Sequence, residues 1–286
     1  MTSLTMNQPS DSQITIPDHL APLFKKYKSW GAAVKANDCE SLQLILSYLQ
    51  EQKRLKPEEL SRALAAGANQ MNPDMADLLI GFGATLDEKI EGQDAVQVAL
   101  SAKNHALVLH FLDQGLVSPD HTESDGTTLL MAALLTEQFD LADQLMARGA
   151  DIDKQRLEFS GGADTALHLA ARQASFQAII WLIENGANPS IENAERRQAC
   201  ESIPELDKDS AKEWDLDAMF DALEDYKDAR KKGEAFEIPE RMREMAHLES
   251  TPMSSMEAAM KEMLAKAEKE EEKSIGLLPK KKKMGF

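Results

Sequence analysis

The side chains with which this chain could bind a metal, move a proton or attack a carbon are six histidines, two cysteines and a large pool of carboxylates. The histidines are His19, His105, His110, His121, His168 and His247. No two of them have zinc-ligand spacing with a cysteine or carboxylate cluster beside them. His105 and His110 are five residues apart, which puts them on different sides of a helical turn. Cys39 and Cys200 stand 161 positions apart and read as reduced thiols rather than a disulfide. No GxxxxGKS/T loop offers a phosphate cradle, no GxGxxG follows a strand pattern, and no DxDxDG loop offers a calcium cage. The carboxylates are abundant without forming a recognisable pair around a substrate. The chain therefore reads as a non-enzyme, with no catalytic residue, metal or cofactor expected.

Attention passes to the elements that would position any surface, and these recur. Residues 163–187 read ADTALHLAARQASFQAIIWLIENGA, and residues 126–150 read GTTLLMAALLTEQFDLADQLMARGA. Each predicts a pair of short helices closed by Gly-Ala. The register is fixed on Gly83, Gly115, Gly149 and Gly186, at spacings of 32, 34 and 37. Twenty-one residues before each stands the residue expected to open the first helix: Arg62, Asp94, Thr128 and Thr165. Apolar residues fall at matching points in each unit, for example Leu167, Ala170, Ile179, Leu182 and Ile183, or Val96, Ala99, Val108, Phe111 and Leu112. A small residue in the first helix allows close approach, larger ones fill the seam to the next unit, and the glycine permits a left-handed helix end. A period of this length is an architecture in itself.

These units resemble the ankyrin repeat family. Thr165-Ala166-Leu167-His168, Ala170-Ala171 and Gly186-Ala187-Asn188 carry the likeness, and so do Gly126, Thr128, Leu130, Ala132-Ala133 and Gly149-Ala150-Asp151. Met131 departs from the family's histidine, and the units at 60–84 and 92–116 match in spacing but lack the tetrapeptide. Segments at about 30–52 and 194–204 look like half-worn caps. The resemblance implies an all-α solenoid of stacked helix pairs, with turns projecting from one side and a groove that recognises another protein. It gives His168 a structural role, bonded to neighbouring loop backbone. The turn from Gly149 to Thr165 is four residues longer than the family norm and carries Arg156, Leu157 and Phe159 before two glycines. Insertions in such arrays fall on one face, often the binding one.

Composition bounds the alternatives. Aromatic content is 5%, and no apolar run approaches the roughly 18 residues of a membrane span. The first twenty residues lack the basic and apolar pattern of a secretory leader. A formal net charge of −17 repels phosphate backbones, so no nucleic-acid partner is expected. The expected location is the cytoplasm.

The sequence divides into a polar segment with a short helix (1–29), the repeat domain (30–204) and a charged, methionine-rich helical extension (205–286). Residues 17–30 predict one short amphipathic helix, and Leu42, Ile45, Leu46 and Leu49 a capping helix. Residues 209–233 predict a helix from the capping-box pair Ser210 and Glu213, through an apolar face of Leu216, Met219, Phe220 and Leu223, to Lys231, Lys232 and Gly233. That face either seals the last repeat or meets a partner. A second short helix starts at Pro239. Beyond Pro252, Met253, Met256, Met260 and Met263 form a stripe suited to docking. Lys280, Lys281, Lys282 and Lys283 read as a solubilising tail or a nuclear import signal, and the glutamate-rich stretch before them has a weak likeness to signals on effectors delivered into host cells.

The function expected is a protein-binding adaptor. Its candidate contact residues are Lys103, Thr136, Arg172 and Gln173 on the exposed side of the first helices, with Asp151, Arg156, Phe159 and Asn188 on the turns. The alternative is an assembly, chaperone or regulatory subunit acting through Met256, Met260 and Met263.

Overall fold

The structure is a computed structural model that describes residues 18, 20–27, 29–123, 125–156, 162–204 and 213–249. Among them are thirteen α-helices, one turn of 3₁₀ helix and no strand beyond two isolated bridges, Ile90 with Gln93 and Thr122 with Thr128. The all-α stack of helix pairs stands as expected. The chain divides into two compact units, Met1–Ala166 and Leu167–Phe286.

In the first unit a short helix α1 (Ala21–Lys26) precedes four helix pairs. They are α2 (Trp30–Lys35) with α3 (Cys39–Glu51), α4 (Pro57–Gly67) with α5 (Pro73–Gly81), α6 (Ala95–Ser101) with α7 (His105–Asp113), and α8 (Leu129–Leu135) with α9 (Phe139–Ala147). First helices pack on first helices, α2 on α4 on α6 on α8, and α3, α5 and α7 pack in the same way. Most of these helices are too short to persist alone in water, so packing rather than propensity holds them. Leu42, Ile45, Leu64, Leu79, Val96, Val108, Phe111, Leu130 and Leu145 are buried in the seams. The ends are specified locally. Asp38, Asn72, Asn104 and Thr128 each accept a hydrogen bond from the backbone N–H three residues on, and Asp94 with Gln97 forms a reciprocal capping box.

The stack starts one full pair earlier than the glycine register suggests. Residues 30–51 form the complete pair α2 and α3 rather than a half-worn cap. Trp30 opens α2 instead of ending the preceding helix, which stops at Lys26. The glycine register misses this pair because Lys53 occupies the left-handed position, at φ 53°, that Gly83, Gly115 and Gly149 hold after the later second helices. A second correction concerns Arg62. It does not open a helix, because α4 begins five residues earlier at Pro57, and Arg62 lies mid-helix with its Nε donating to Glu88 at 2.8 Å.

α1 is fastened through one carboxylate. Asp38, the N-cap of α3, accepts hydrogen bonds from Lys26 Nζ at 2.8 Å, Tyr27 Oη at 2.6 Å and Ser41 Oγ at 2.8 Å. These donors, Lys26 foremost, hold the Asp38 carboxyl well below the usual range. Phe24 adds an edge-to-face contact with Tyr48.

In the second unit, α10 (Ala166–Arg172, whose first residue closes the first unit) pairs in sequence with α11 (Phe176–Glu184). A loop with a 3₁₀ turn at Cys200–Ser202 follows, then α12 (Glu213–Lys232) and α13 (Glu240–Glu249). The segment at 194–204 is thus loop and one turn, not half of a repeat. α12 packs on the 3₁₀ turn and on α13, and α13 on α11. Leu216, Met219, Ala222, Leu223 and Tyr226 form the buried arc of α12. Phe220, expected on that arc, lies at its edge and is 42% exposed. The expected capping-box residue Ser210 lies outside the described residues.

Replacing Lys53 by glycine should stabilise the protein by up to about 1 kcal/mol, since relief of the left-handed backbone outweighs the added freedom of the unfolded chain. A urea unfolding midpoint that falls in Lys53→Gly would contradict this. Asp38 contributes stability above its unfolded pKa of about 4, and that contribution is lost as pH falls toward its depressed folded value. Asp38→Asn should therefore be less stable than the parent at pH 7 and show a shallower loss of stability below pH 4. Parallel acid slopes for the two proteins would refute the clamp.

Candidate functional site

The longest turn is built as a braced finger. Arg156 N donates to Asp164 O at 2.7 Å, and Gln155 Nε2 donates to Ala163 O at 2.9 Å, so the two limbs of the finger are tied at its base. Asp151, at its start, donates its N–H to Asp120 of the preceding turn at 2.8 Å and accepts from Asp153 N at 3.0 Å. Arg156 was expected as a candidate contact residue on this turn. Its side chain is 15% exposed and Nη1 lies 3.6 Å from Asp125 Oδ2, so it braces the finger against the turn before it. Partial burial alone would raise the pKa of Asp125, but hydrogen bonds from Thr127 and the charge of Arg156 hold it below the ordinary value. Burial, with Asp125 and Asp94 close by, pushes the neighbouring Glu123 up. Phe159 lies outside the described residues, between the two braced limbs in sequence.

The helix-facing candidates lie at the ends of first helices. Lys103 is exposed in the turn after α6 and adopts φ 57°. Thr136 caps α8, donating its hydroxyl to Ala132 O at 2.7 Å and accepting from Gln138 Nε2 at 2.6 Å. Lys103 and Thr136 therefore occupy corresponding ends of the adjacent helices α6 and α8. In the second unit Arg172 ends α10, and both it and Gln173 are exposed. Asn188 is half-buried, and its side-chain oxygen accepts from Ser190 N at 3.1 Å, shaping the turn after α11. Met256, Met260 and Met263 lie outside the described residues, as do Lys280, Lys281, Lys282 and Lys283.

Sequence reasoning missed a ladder of polar side chains that joins successive turns. Asn37 Nδ2 donates to Gln70 O at 2.9 Å, and Asn104 Nδ2 donates to Ala68 O and Met71 O, both at 2.9 Å. Gln138 pairs with His105 Nε2 and reaches back to Leu100 O at 3.5 Å. On the second helices, His110 meets Asp77 at 2.6 Å and Arg148 meets Asp113 at 2.7 Å. The signal was available, because the N-caps Asn72, Asn104, Gln138 and Ser175 repeat at the same 32, 34 and 37 spacings as the glycines. His168 plays the structural part expected of it, with Nε2 2.9 Å from Arg197 O.

The carboxyl-terminal end of α11 is closed by α12. Tyr226 Oη donates to Ala187 O at 2.9 Å and Arg230 Nη1 donates to Gly186 O at 2.7 Å, satisfying carbonyls that a further repeat would otherwise cover. Cys200 is a buried free thiol whose Sγ donates to Glu224 Oε1 at 3.0 Å. Burial pushes its pKa up to about 12, with Glu224 adding to the shift.

Three comparisons bear on identity. Ankyrin repeat family models match residues 60–156 in three copies and residues 164–194 as one repeat. Among solved structures the chain is similar to the ankyrin repeat domain of Bcl-3, described as a unique member of the IkappaB protein family. That match has 16% sequence identity and a TM-score of 0.44, and covers 62% of this chain and 93% of that one. No curated protein matches the sequence.

With so high a pKa, the Cys200 thiolate is a trace species near neutral pH, on the order of one molecule in ten thousand or fewer. In the native protein iodoacetamide should therefore label the half-exposed Cys39 well before Cys200. Equal labelling rates by mass spectrometry would show that α12 does not shield the 3₁₀ turn.

Proposed function

Because the chain belongs to the ankyrin repeat family, whose repeats are generally protein–protein interaction modules, we propose that it is a non-enzymatic adaptor holding a partner protein with the finger at 151–165 and the exposed ends of its first helices. The observation that carries this reading is the braced base of the finger. A turn longer than its neighbours, tied across its limbs and buttressed by Arg156, has both ends of the intervening segment fixed at one place on the surface before any partner arrives. Phe159 is the aromatic anchor in this reading, with Lys103, Thr136 and Asp151 contributing polar contacts around it. Arg172, Gln173 and Asn188 offer a comparable set on the second unit.

The described C-terminal helices favour this reading over one in which they hold the partner. The apolar arc of α12 is spent on its own unit, and Tyr226 and Arg230 are committed to the end of α11. Two free thiols suit work in the reducing cytoplasm. No helix among the described residues is long and apolar enough to cross a membrane.

The test is affinity capture from native lysate with four chains: the parent, Phe159→Ala, Arg156→Ala and a deletion of residues 250–286. That deletion leaves every described helix in place, whereas cutting at 234 would strip α13 from α11. Phe159→Ala should weaken capture roughly tenfold or more with an unchanged unfolding midpoint. Arg156→Ala should weaken capture and also lower stability by about 1 kcal/mol, through lost packing and the lost pair with Asp125. The deletion should bind as the parent does. Capture that survives Phe159→Ala but vanishes with the deletion would transfer the activity to the methionine-striped tail.

A further inference from the structure

The second unit contains an open cleft of about 440 Å³ between the ends of α11 and α12 and the segment leading into α13. Its floor is apolar, from Ile183, Tyr226, Phe236 and Ile238, and the rings of Tyr226 and Phe236 lie 5.3 Å apart at a tilt of 54°. Glu184, Glu234 and Glu237 stand on the rim, each exposed and without an ion pair or side-chain hydrogen bond among the described residues. Of the two rim arginines, Arg230 is committed to the carbonyl of Gly186 and the hydroxyl of Tyr226. Arg230 keeps its charge, so with Arg243 the rim carries two cations against three carboxylates, a net charge of −1, and it is the carboxylates that have no partner among the described residues. Aromatic faces beneath a carboxylate rim recognise an ammonium group on a flexible apolar stem, which describes lysine.

We propose that this cleft docks the lysine run at residues 280–283 of the same chain, an intramolecular latch of the C-terminal segment onto the second unit. The run is the longest block of like charge in a chain whose net charge is −17. Leu277, Leu278 and Met284 flank it with apolar groups of a size to meet Phe236 and Ile238. Thirty residues, 250–279, separate Glu249 at the end of α13 from Lys280. Thirty residues span about 30 Å as a coil and about 45 Å as a helix, against roughly 15 Å for α13, so the segment is long enough in either form to bring the run to the cleft. Tethering at that range supplies an effective concentration near the millimolar scale, enough for contacts that would be weak between separate molecules.

Carbodiimide cross-linking of the full-length chain tests the proposal, because the reagent joins lysine to carboxylate only where the two groups touch. A mixture of ¹⁴N- and ¹⁵N-labelled protein separates links within a chain from links between chains. The internal control is the exposed row Asp217, Asp221 and Asp225 on α12, which has no ion pair among the described residues and offers three carboxylates with no arginine among them, so charge alone would favour it over the rim. The expected result is within-chain links from Lys280, Lys281, Lys282 or Lys283 to Glu184, Glu234 or Glu237, in roughly fivefold excess over links to the aspartate row. These links should be lost in 1 M NaCl, where the screening length is about 3 Å. The Glu234→Gln, Glu237→Gln double variant should reduce linking at Glu184 as well, since the run would no longer dwell there. Equal yields at rim and row would reduce the contact to unspecific attraction and overturn the proposal. Links found only between differently labelled chains would overturn it in favour of a second copy's tail, and an absence of rim links would overturn it outright.

Discussion

A helix of six to thirteen residues, such as those of the first unit, does not hold its shape in water. The constraint that governs this molecule is that each helix pair must therefore borrow its stability from the next, by pressing one apolar side against a neighbour of the same kind. Ala63, Ala99 and Ala133 are buried on first helices, where a small side chain lets backbones approach. Leu79, Phe111 and Leu145 are buried on second helices, where bulk fills the seam. Because the contacts run from pair to adjacent pair, stability is a sum of near-neighbour seams rather than the property of one central core.

Seams made only of alanine and leucine would tolerate sliding. The polar ladder removes that freedom. Asn104 spans two carbonyls at the end of the preceding α4 loop, and Gln138 does comparable work one pair later. These are backbone acceptors that the packing has withdrawn from water, and leaving them unmet would cost about 1–3 kcal/mol each. The direction of each bond fixes how far one turn sits from the last. His110 with Asp77, and Arg148 with Asp113, repeat the arrangement along the second helices at the solvent edge.

The fold was legible where the residue type was forced by the backbone. Gly83, Gly115, Gly149 and Gly186 all adopt positive φ, and counting between them fixed the repeat. It failed at the first pair because Lys53 tolerates the same conformation, so the marker was absent while the geometry persisted. Arg62 was misplaced for a related reason: α4 has eleven residues where α6 and α8 have seven, so a fixed offset from the glycine landed inside it. Phe220 was assigned to the buried face because period alone cannot tell the centre of an arc from its margin. The candidate site was legible in position and less so in role. The insertion drew attention to Arg156, but only the proximity of Asp125 shows that it supports the finger rather than tipping it. The ladder escaped notice because asparagine and glutamine before a helix read as ordinary caps, and the carbonyls they reach lie more than thirty residues upstream.

Repeat arrays lengthen by duplication of a unit, and a duplicate survives only where both of its new faces meet surfaces they already fit. Tyr226 and Arg230 grip the carbonyls of Ala187 and Gly186, which no preceding repeat presents to a tyrosine and an arginine on a long helix. A copy inserted just after Asn188 would part that grip and leave both the old end and the new one bare. A copy inserted between Gln93 and Gly126 would find its own likeness on either side. A designed array built on this chain should therefore be lengthened within the first unit, where like meets like, and not after Asn188, where α12 already covers the end of α11.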